Sequence, residues 1–202
     1  MFYLSELKHT VRVPYHLLNL PLEEAIISVL QNVFLDKVLE NLGLCVSIYD
    51  IKSVEGAEYG AGTTSYQVGF RIVVFRPFVG EVIVANLKES GANGLRLTLG
   101  FFEDIYVPAS FIPSPNRCEP DPYDRNQMRW VCKIGKPKED VIIDDSCQIR
   151  FQVESISYPS KPFTRTEDAN PFAPMVVTGN LYGDGLGPVS WWESFYEIGE
   201  EE

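Results

Sequence analysis

Apolar positions in the first forty residues change from a period of two to a helical period. Residues 1–13 read as a strand, and the segment that follows carries an apolar stripe at the i, i+3, i+4, i+7 spacing of a helix. Pro21 suits the first helical position, and Gly43 is a natural stop. We therefore predict one helix that covers a sheet. Its stripe consists of Leu22, Ala25, Ile26, Val29, Leu30 and Val33.

Two strand patterns follow the helix. Leu44, Val46 and Ile48 alternate with more polar neighbours, and the apolar positions of 66–74 do the same, which predicts a half-buried antiparallel pair. The segment between them, VEGAEYGAGTTS, is rich in glycine and lacks the GK[ST] ending of a phosphate-binding loop. We expect a protruding loop here, and loops carried by a rigid scaffold often contact partners.

The second half of the chain keeps the period of two and predicts five short strands. Pro77 and Gly80 place a domain boundary near residue 80, and the sequence Ser90–Gly94 predicts a hairpin turn between the first two strands. Five strands are the number that an OB-type barrel uses. The predicted strands are 82–87, 95–99, 105–107, 149–156 and 175–177.

Two long connections interrupt this barrel. Residues 113–140 contain five prolines, and residues 159–174 contain four, so we expect both to be irregular excursions, either of which could be a partner surface. The end of the chain, WWESFYEIGEEE, places bulky aromatic residues before an acidic tail. The tryptophans are expected to cover the barrel or a partner, and the glutamates to be solvated.

The charge pattern argues against a general nucleic-acid binder. The net charge is −11, whereas such proteins use a basic surface to displace counterions from phosphates. Residues 1–80, 81–150 and 151–202 carry 6, 9 and 2 basic against 8, 11 and 9 acidic residues. Most of the acidic excess therefore lies at the end of the chain. Residues 117–138 form the clearly basic stretch.

Catalysis, metal binding and membrane insertion have little support in the sequence. His9 and His16 are the two histidines, and the chain has no GxSxG, HExxH or DxD motif. The four cysteines form no CxxC pair, so neither a zinc site nor a disulfide framework is expected. No apolar run approaches the length of a membrane span. We expect a non-catalytic, intracellular protein without a cofactor.

Residues 77–112 resemble the S1 RNA-binding repeat. That repeat has a Gly-x-Val start, a hairpin that turns at glycine and a strand leading into a Pro-x-Ser segment. The matching positions here are Gly80-Glu81-Val82, Gly91 to Gly94 and Val107-Pro108-Ala109-Ser110.

A wider resemblance covers nearly the whole chain. The segments MFYLSELKHTVRVP, PLEEAIISVL, NLGLCVSIYDI, VVFRPFVGEV and PFAPMVVTGNLYGDGLGPVSWW are similar to the larger stalk subunits of archaeal and eukaryotic RNA polymerases, the polymerase III branch in particular. The resemblance implies an α+β chain with two domains. A polymerase-docking, RNP-like domain of helix and antiparallel sheet would span 1–80, and an all-β S1-type OB-fold barrel would span 81–202, with the insertion 113–140 and the acidic tail.

The resemblance also implies partners. The family pairs with a smaller helical stalk subunit, docks on the polymerase core, assists initiation in the nucleus together with initiation factors, and faces the nascent RNA. Its docking tip corresponds to the glycine-rich loop of this chain. The candidate docking residues are Gly56, Glu58, Tyr59, Gly60, Gly62 and Thr64.

Candidate RNA contacts follow from the strand alternation of the barrel. If Leu95, Leu97 and Leu99 point inward, Arg96 and Thr98 point outward, and Phe101 or Phe102 lies near the rim where the strand ends. OB-type barrels stack bases on aromatic residues beside basic ones. RNA binding should be weak and without strong sequence preference, because basic residues are few. A protein-interaction module that touches no RNA, or a free S1-type RNA-binding protein, are the alternatives. The candidate RNA-binding residues are Lys88, Arg96, Phe102, Tyr106 and Arg150.

Overall fold

The computed structural model divides into two compact units, Met1–Pro77 and Phe78–Glu202, here called the N-terminal and the C-terminal unit. The structure describes residues 1–17, 19–60, 62–122, 128–134, 139–143, 147–158 and 175–192. The predicted excursion at 159–174 and the acidic tail after Trp192 lie outside the described residues.

The N-terminal unit is an antiparallel sheet covered on one face by a helix. The sheet has the strand order β1-β4-β3-β2, and apolar side chains from the helix α1 and from the inner sheet face form the core. This is the predicted arrangement of helix and sheet. The elements are β1 (Phe2–Pro14), α1 (Leu22–Phe34), β2 (Val38–Leu39), β3 (Gly43–Gly60) and β4 (Thr63–Phe75).

The helix ends earlier than predicted. Its last turn closes at Phe34, where the Leu35 amide donates to the Gln31 carbonyl at 2.9 Å, and Asp36 then turns the chain with a φ of 58°. Gly43 instead opens β3 with a φ of 111°, at a point where a Cβ atom would collide with the Phe75 carbonyl oxygen. The prediction that Gly43 stops the helix was therefore wrong, although glycine is needed there.

Irregularities in β3 shift the predicted alternation. The register with β4 slips between Cys45 and Ser47 and again between Ile48 and Asp50, as a β-bulge does when two residues oppose one. As a result Cys45, Ile48 and Ile51 contact the core. Of the three predicted apolar positions, Leu44 is buried and Ile48 packs against the core, whereas Val46 is only partly buried. The alternation predicted for β4 is confirmed, since Val68, Phe70, Ile72 and Val74 are all buried.

The glycine-rich segment is a β-hairpin, so the prediction of a loop between residues 54 and 65 was wrong. β3 and β4 continue pairing through it, with Glu58 opposite Ser65, Tyr59 opposite Thr64 and Gly60 opposite Thr63. The alternating pattern fades here because both faces of the hairpin are largely exposed. We call residues 54–65 the hairpin tip.

The C-terminal unit is a closed barrel with an inserted sheet. β5 pairs with β6, β6 with β7, β7 in parallel with β12, β12 with β11, and β11 with β5, which is the closed ring of a five-stranded OB-type barrel. The strands are β5 (Val82–Gly91), β6 (Gly94–Thr98), β7 (Ile105–Pro108), β8 (Asn116–Pro120), β9 (Met128–Ile134), β10 (Glu139–Ile143), β11 (Gln148–Ser157), β12 (Val176–Asn180) and β13 (Gly187–Pro188).

The five predicted barrel strands are all present. Inward positions were predicted for the second of them, where Leu95 and Leu97 are fully buried but Leu99 is only partly buried. The predicted hairpin is also present: β5 and β6 join through Ala92 and Asn93, and a Cβ atom on Gly94, whose φ is 142°, would collide with the Val107 carbonyl. The remaining buried barrel residues include Ile83, Ala85, Leu87, Ile105, Val107, Ile149, Phe151, Val153 and Val177.

Residues 116–143 contain an ordered sheet, so the prediction of an irregular excursion over 113–140 was wrong for its described part. β8, β9 and β10 form an antiparallel sheet in the order β10-β9-β8, here called the inserted sheet. Trp130, Val131 and Cys132 of the central strand are buried. The Trp130 indole donates to the Gly91 carbonyl at 3.1 Å, which ties the inserted sheet to the barrel hairpin.

Candidate docking tip and nucleic-acid face

The hairpin tip presents side chains that the rest of its unit does not cover. Tyr59 is 81% exposed, the highest value among the exposed large apolar residues that the structure describes. The tip backbone is nevertheless held, because the Tyr15 hydroxyl donates to the Gly60 carbonyl at 2.9 Å and the Tyr15 amide donates to the Gly62 carbonyl at 3.4 Å. A fixed backbone carrying an exposed tyrosine is suited to protein recognition.

One predicted docking residue is not available to a partner. Thr64 lies opposite Tyr59 in the hairpin but is only 1% exposed. The expectation that its side chain contacts a partner was therefore wrong, because the side chain is buried. Gly56, Glu58, Gly60 and Gly62 remain exposed or lie at the turn. Glu55 and Glu58 line a shallow polar cleft of about 410 Å³ beside Thr10 and Gln67.

The outer face of the N-terminal sheet carries a charged cluster that the sequence did not reveal. Arg71 donates to both carboxylate oxygens of Asp50, at 2.8 and 2.5 Å, and its guanidinium lies 5.0 Å from the centre of the Tyr49 ring. The hydrogen bond from Arg71 holds the pKa of the Asp50 carboxyl below its usual range. The bulge after Ile48, which brings Asp50 opposite Arg71, is what a strict alternation could not predict.

Three of the predicted RNA-binding residues lie on adjoining strands of the barrel. Arg96 on β6 pairs in register with Tyr106 on β7, and the β5 residue opposite Arg96 is Glu89, with Lys88 in the bulge beside it. The Tyr106 hydroxyl donates to the Asn93 carbonyl at 2.6 Å. The structure therefore brings Lys88, Arg96 and Tyr106 together.

Both cations on this surface are held by carboxylates of the 99–104 connection. Lys88 donates to the Glu103 carboxylate, and this hydrogen bond holds the pKa of Glu103 below its usual range. Arg96 donates from Nη2 to Asp104 at 2.9 Å and from Nε to the Glu103 carbonyl at 3.2 Å. The basic side chains are thus paired within the barrel.

Arg150 lies apart from this group. It is opposite Val84 on β5, four residues from Lys88, which is about 13 Å along a strand. Its guanidinium donates to the Gly185 carbonyl at 3.3 Å, so it helps to hold the 183–187 turn. The structure does not bring it together with the other predicted RNA-binding residues.

Phe102 was wrongly expected on the surface. Its side chain is 4% exposed, whereas that of Phe101 is 45% exposed, and the Leu99 amide donates to the Phe102 carbonyl at 2.9 Å. Two adjacent phenylalanines in a non-strand segment give no alternation from which to tell the inward one. We call Lys88, Arg96, Phe101 and Tyr106 the charged barrel face.

The outer face of the inserted sheet carries a chain of alternating charges that sequence reasoning missed. Arg129 pairs with Glu119, Glu119 with Arg117, Arg117 with Asp140, and Asp140 with Lys133. The hydrogen bond from Arg129 holds the pKa of Glu119 below its usual range. The signal lay in β8, where Arg117 and Glu119 flank Cys118, but these residues were counted only as part of a basic stretch.

Metal and thiol chemistry find no site in the part of the chain that the structure describes. The described residues contain no group of three metal-ligating side chains and no helix that is both long and apolar enough to cross a bilayer. The four cysteines are free thiols. Burial raises the pKa of the Cys132 thiol to about 11, so this thiol is protonated at neutral pH.

Comparison with known proteins gives matches along nearly the whole chain. The family described as "RNA polymerase III subunit Rpc25" matches residues 81–192, and the "SHS2 domain found in N terminus of Rpb7p/Rpc25p/MJ0397" matches residues 8–63. The chain is 31% identical to DNA-directed RNA polymerase III subunit rpc8 of Schizosaccharomyces pombe and 30% identical to RPC8 of Bos taurus. Each alignment covers 96% of this chain and 100% of the relative.

An archaeal relative matches a shorter stretch. DNA-directed RNA polymerase subunit Rpo7 of Saccharolobus solfataricus is 28% identical over 102 residues, which are 50% of this chain and 57% of the relative. The similarity to polymerase III subunits is therefore nearly twice as extensive along this chain as the similarity to this archaeal subunit.

Proposed function

This chain belongs to the RNA polymerase III subunit Rpc25 family, and from that membership we propose that it is the larger, non-catalytic stalk subunit of nuclear DNA-directed RNA polymerase III. The observation that carries the proposal is the 31% identity to a polymerase III subunit over 96% of the chain. The α+β N-terminal unit and the OB-type barrel agree with this assignment. In this role the chain assists transcription initiation as part of a larger assembly.

The hairpin tip is the proposed contact with the polymerase core. Its support is the combination of a backbone fixed by Tyr15 with the 81% exposed Tyr59, since tyrosines in rigid surroundings dominate many interfaces. Glu55 and Glu58 give the tip an acidic character, and residues 54–65 contain no lysine or arginine. A basic or apolar pocket on the core is the complementary surface. Glu58, Tyr59 and the tip glycines carry this contact.

The charged barrel face is the proposed contact with nascent RNA. An exposed phenylalanine, a tyrosine and two cations on adjoining elements supply both stacking and phosphate contact, which together bind single strands without strong sequence preference. Because carboxylates hold both cations, the contact is weak in the isolated chain.

The same pairing favours a second candidate, a barrel that binds only proteins. In that case the smaller helical stalk subunit or an initiation factor covers the barrel, and the cations serve only to hold the 99–104 connection. The two candidates differ in one observable: a protein-only barrel yields no crosslink to transcript from the charged barrel face.

Co-purification tests the assignment itself. The chain would be tagged, expressed in cells and purified from their nuclear extract. It should recover the polymerase III core and a smaller stalk subunit in near-equal amounts. Recovery of polymerase II instead, or recovery of RNA without any polymerase, would contradict the proposal. The second result would favour a free S1-type RNA-binding protein.

A further inference from the structure

The pairing of Lys88 with Glu103 points to a phosphate site that the chain itself blocks. We propose that the Lys88 ammonium is a binding site for an RNA phosphate, and that the Glu103 carboxylate occupies this site in the free chain as a built-in competitor. The inference rests on the proposed RNA contact of the charged barrel face and concerns how that contact is regulated.

The two ion pairs of the face differ in their exposure. The side chains of Lys88 and Glu103 are 34% and 49% exposed, whereas those of Arg96 and Asp104 are 18% and 12% exposed. An exposed pair contributes little to stability and exchanges partners readily, but breaking a partly buried pair leaves a charge with poor solvation. Lys88 is therefore the cation that can change partners, and Arg96 is not.

The connection that carries Glu103 is fixed on both of its sides. Before it, the buried Phe102 anchors the chain, and after it the Asp104 carbonyl accepts a hydrogen bond from the Val177 amide at 2.9 Å. Arg96 holds the Glu103 carbonyl and the Asp104 carboxylate together. The fold thus places the Glu103 carboxylate at Lys88, and Arg96 acts as a positioning residue.

The ligand class follows from what surrounds the blocked ammonium. A carboxylate and a phosphate present similar oxygens to an ammonium group, so the position of Glu103 is one that a phosphate could take. Phe101, which is 45% exposed, lies two residues before Glu103 and offers a ring for base stacking. A ligand with both phosphates and bases, a single-stranded RNA, gains from both groups.

The test is the isosteric change Glu103→Gln in the full-length chain, with binding of a single-stranded oligouridine measured by fluorescence anisotropy between about 0.05 and 0.2 M salt. Freed from its competitor, Lys88 should bind a phosphate. We expect RNA affinity at the lowest salt to rise by about two- to fivefold, the range that release from an exposed ion pair allows. The slope of log affinity against log salt should steepen by about 0.7, the value for one more phosphate contact on a single strand.

Two further variants show where any gain comes from. Glu89→Gln removes an equal charge from the exposed residue next to Lys88, and should raise the affinity by less than about twofold. Lys88→Met combined with Glu103→Gln should abolish the gain. Unfolding midpoints of all variants check that the barrel stays folded.

The outcomes separate this inference from the proposed function. Suppose that the wild-type chain binds the oligouridine, but that Glu103→Gln raises the affinity no more than Glu89→Gln does, or that the increase persists with Lys88→Met. Then the inference that Glu103 competes for Lys88 is wrong, while the proposed RNA contact stands. If no variant binds the RNA at the lowest salt, the RNA contact itself is wrong, and the competitor with it.

Discussion

The hairpin tip and the inserted sheet are both β-structures in segments rich in glycine or proline, but they use their side chains in opposite ways. The tip leaves Tyr59 and two glutamates in solvent, whereas the inserted sheet buries Trp130 and Cys132 and pairs its outer charges with one another. A segment whose apolar side chains are buried and whose charges are paired within the same unit stabilises that unit. A segment with a fixed backbone and exposed side chains retains binding energy for a partner.

Removing the anchor of the inserted sheet should have the largest effect. Trp130→Ala is expected to lower the free energy of unfolding of the C-terminal unit by about 3–5 kcal/mol, as is usual when a buried aromatic side chain is truncated. Urea unfolding of the full-length chain measures this. Trp130→Phe, which loses mainly the indole hydrogen bond to Gly91, should cost about 1 kcal/mol. A loss below 1 kcal/mol in Trp130→Ala would show that the inserted sheet is not integral to its unit.

Truncating the exposed tyrosine of the tip should act on binding and leave stability unchanged. Tyr59→Ala is expected to weaken association with the polymerase core by about 2–4 kcal/mol, the range of an interface hot spot. The free energy of unfolding should change by less than about 0.5 kcal/mol. Tyr49→Ala removes another exposed tyrosine of the same strand and is the matched control. Equal effects of the two changes on association would contradict docking by the tip.

Reversing one charge on each of two surfaces sharpens the comparison further. Lys88→Glu on the charged barrel face should lower transcript crosslinking in the assembled polymerase by about three- to tenfold, since it repels phosphate where a cation had attracted it. Lys133→Glu on the inserted sheet makes the same change of charge and should have little effect. Arg96 is unsuitable for such a test, because its pairing with Asp104 is partly buried. Equal losses in both variants would mean that net charge, and not the barrel face, governs RNA contact.

The Asp50–Arg71 pair should give the smallest effect, visible only in acid. The folded-state pKa of Asp50 lies below its unfolded value, so its stabilising contribution is present above the unfolded pKa of about 3.9 and is lost as the pH falls through the folded value. Asp50→Asn removes this contribution. Unfolding measured between about pH 2 and 7 should therefore show the variant less stable near neutrality and converging with the wild type at the acidic end. A constant difference across the range would contradict this origin.

The barrel was predictable from sequence because its strands have one buried and one exposed face. A shift of β6 by one residue would bury Arg96 and expose Leu95 and Leu97, so the pattern allows only one register. The hairpin tip and the described part of the inserted sheet were missed for the opposite reasons. In the tip the consecutive residues 54–60 are all exposed, and in β9 the consecutive residues 130–132 are all buried, so neither shows a period of two.

The candidate site was predictable in part. Alternation along the second barrel strand gave Arg96 as an outward position, and the structure places Tyr106 opposite it and Lys88 in the neighbouring bulge. The carboxylate partners of Lys88 and Arg96 lie on the 99–104 connection, where no period applies. For the same reason the sequence did not show that Phe101, and not Phe102, is the exposed phenylalanine. The bulges of β3 and the pairing of Asp50 with Arg71 depend on register, which a single strand does not encode.

Site-specific photocrosslinking in the assembled polymerase tests the central claim most directly. A photoreactive residue would replace Tyr59 in the tip, Phe101 on the charged barrel face, or the exposed Ile142 of the inserted sheet, one at a time, during transcription with labelled RNA. We predict that position 59 crosslinks to a core polypeptide of polymerase III and that position 101 crosslinks to the transcript, with position 142 as the control that does not reach RNA. Transcript crosslinks from position 59, or none from position 101, would contradict this account.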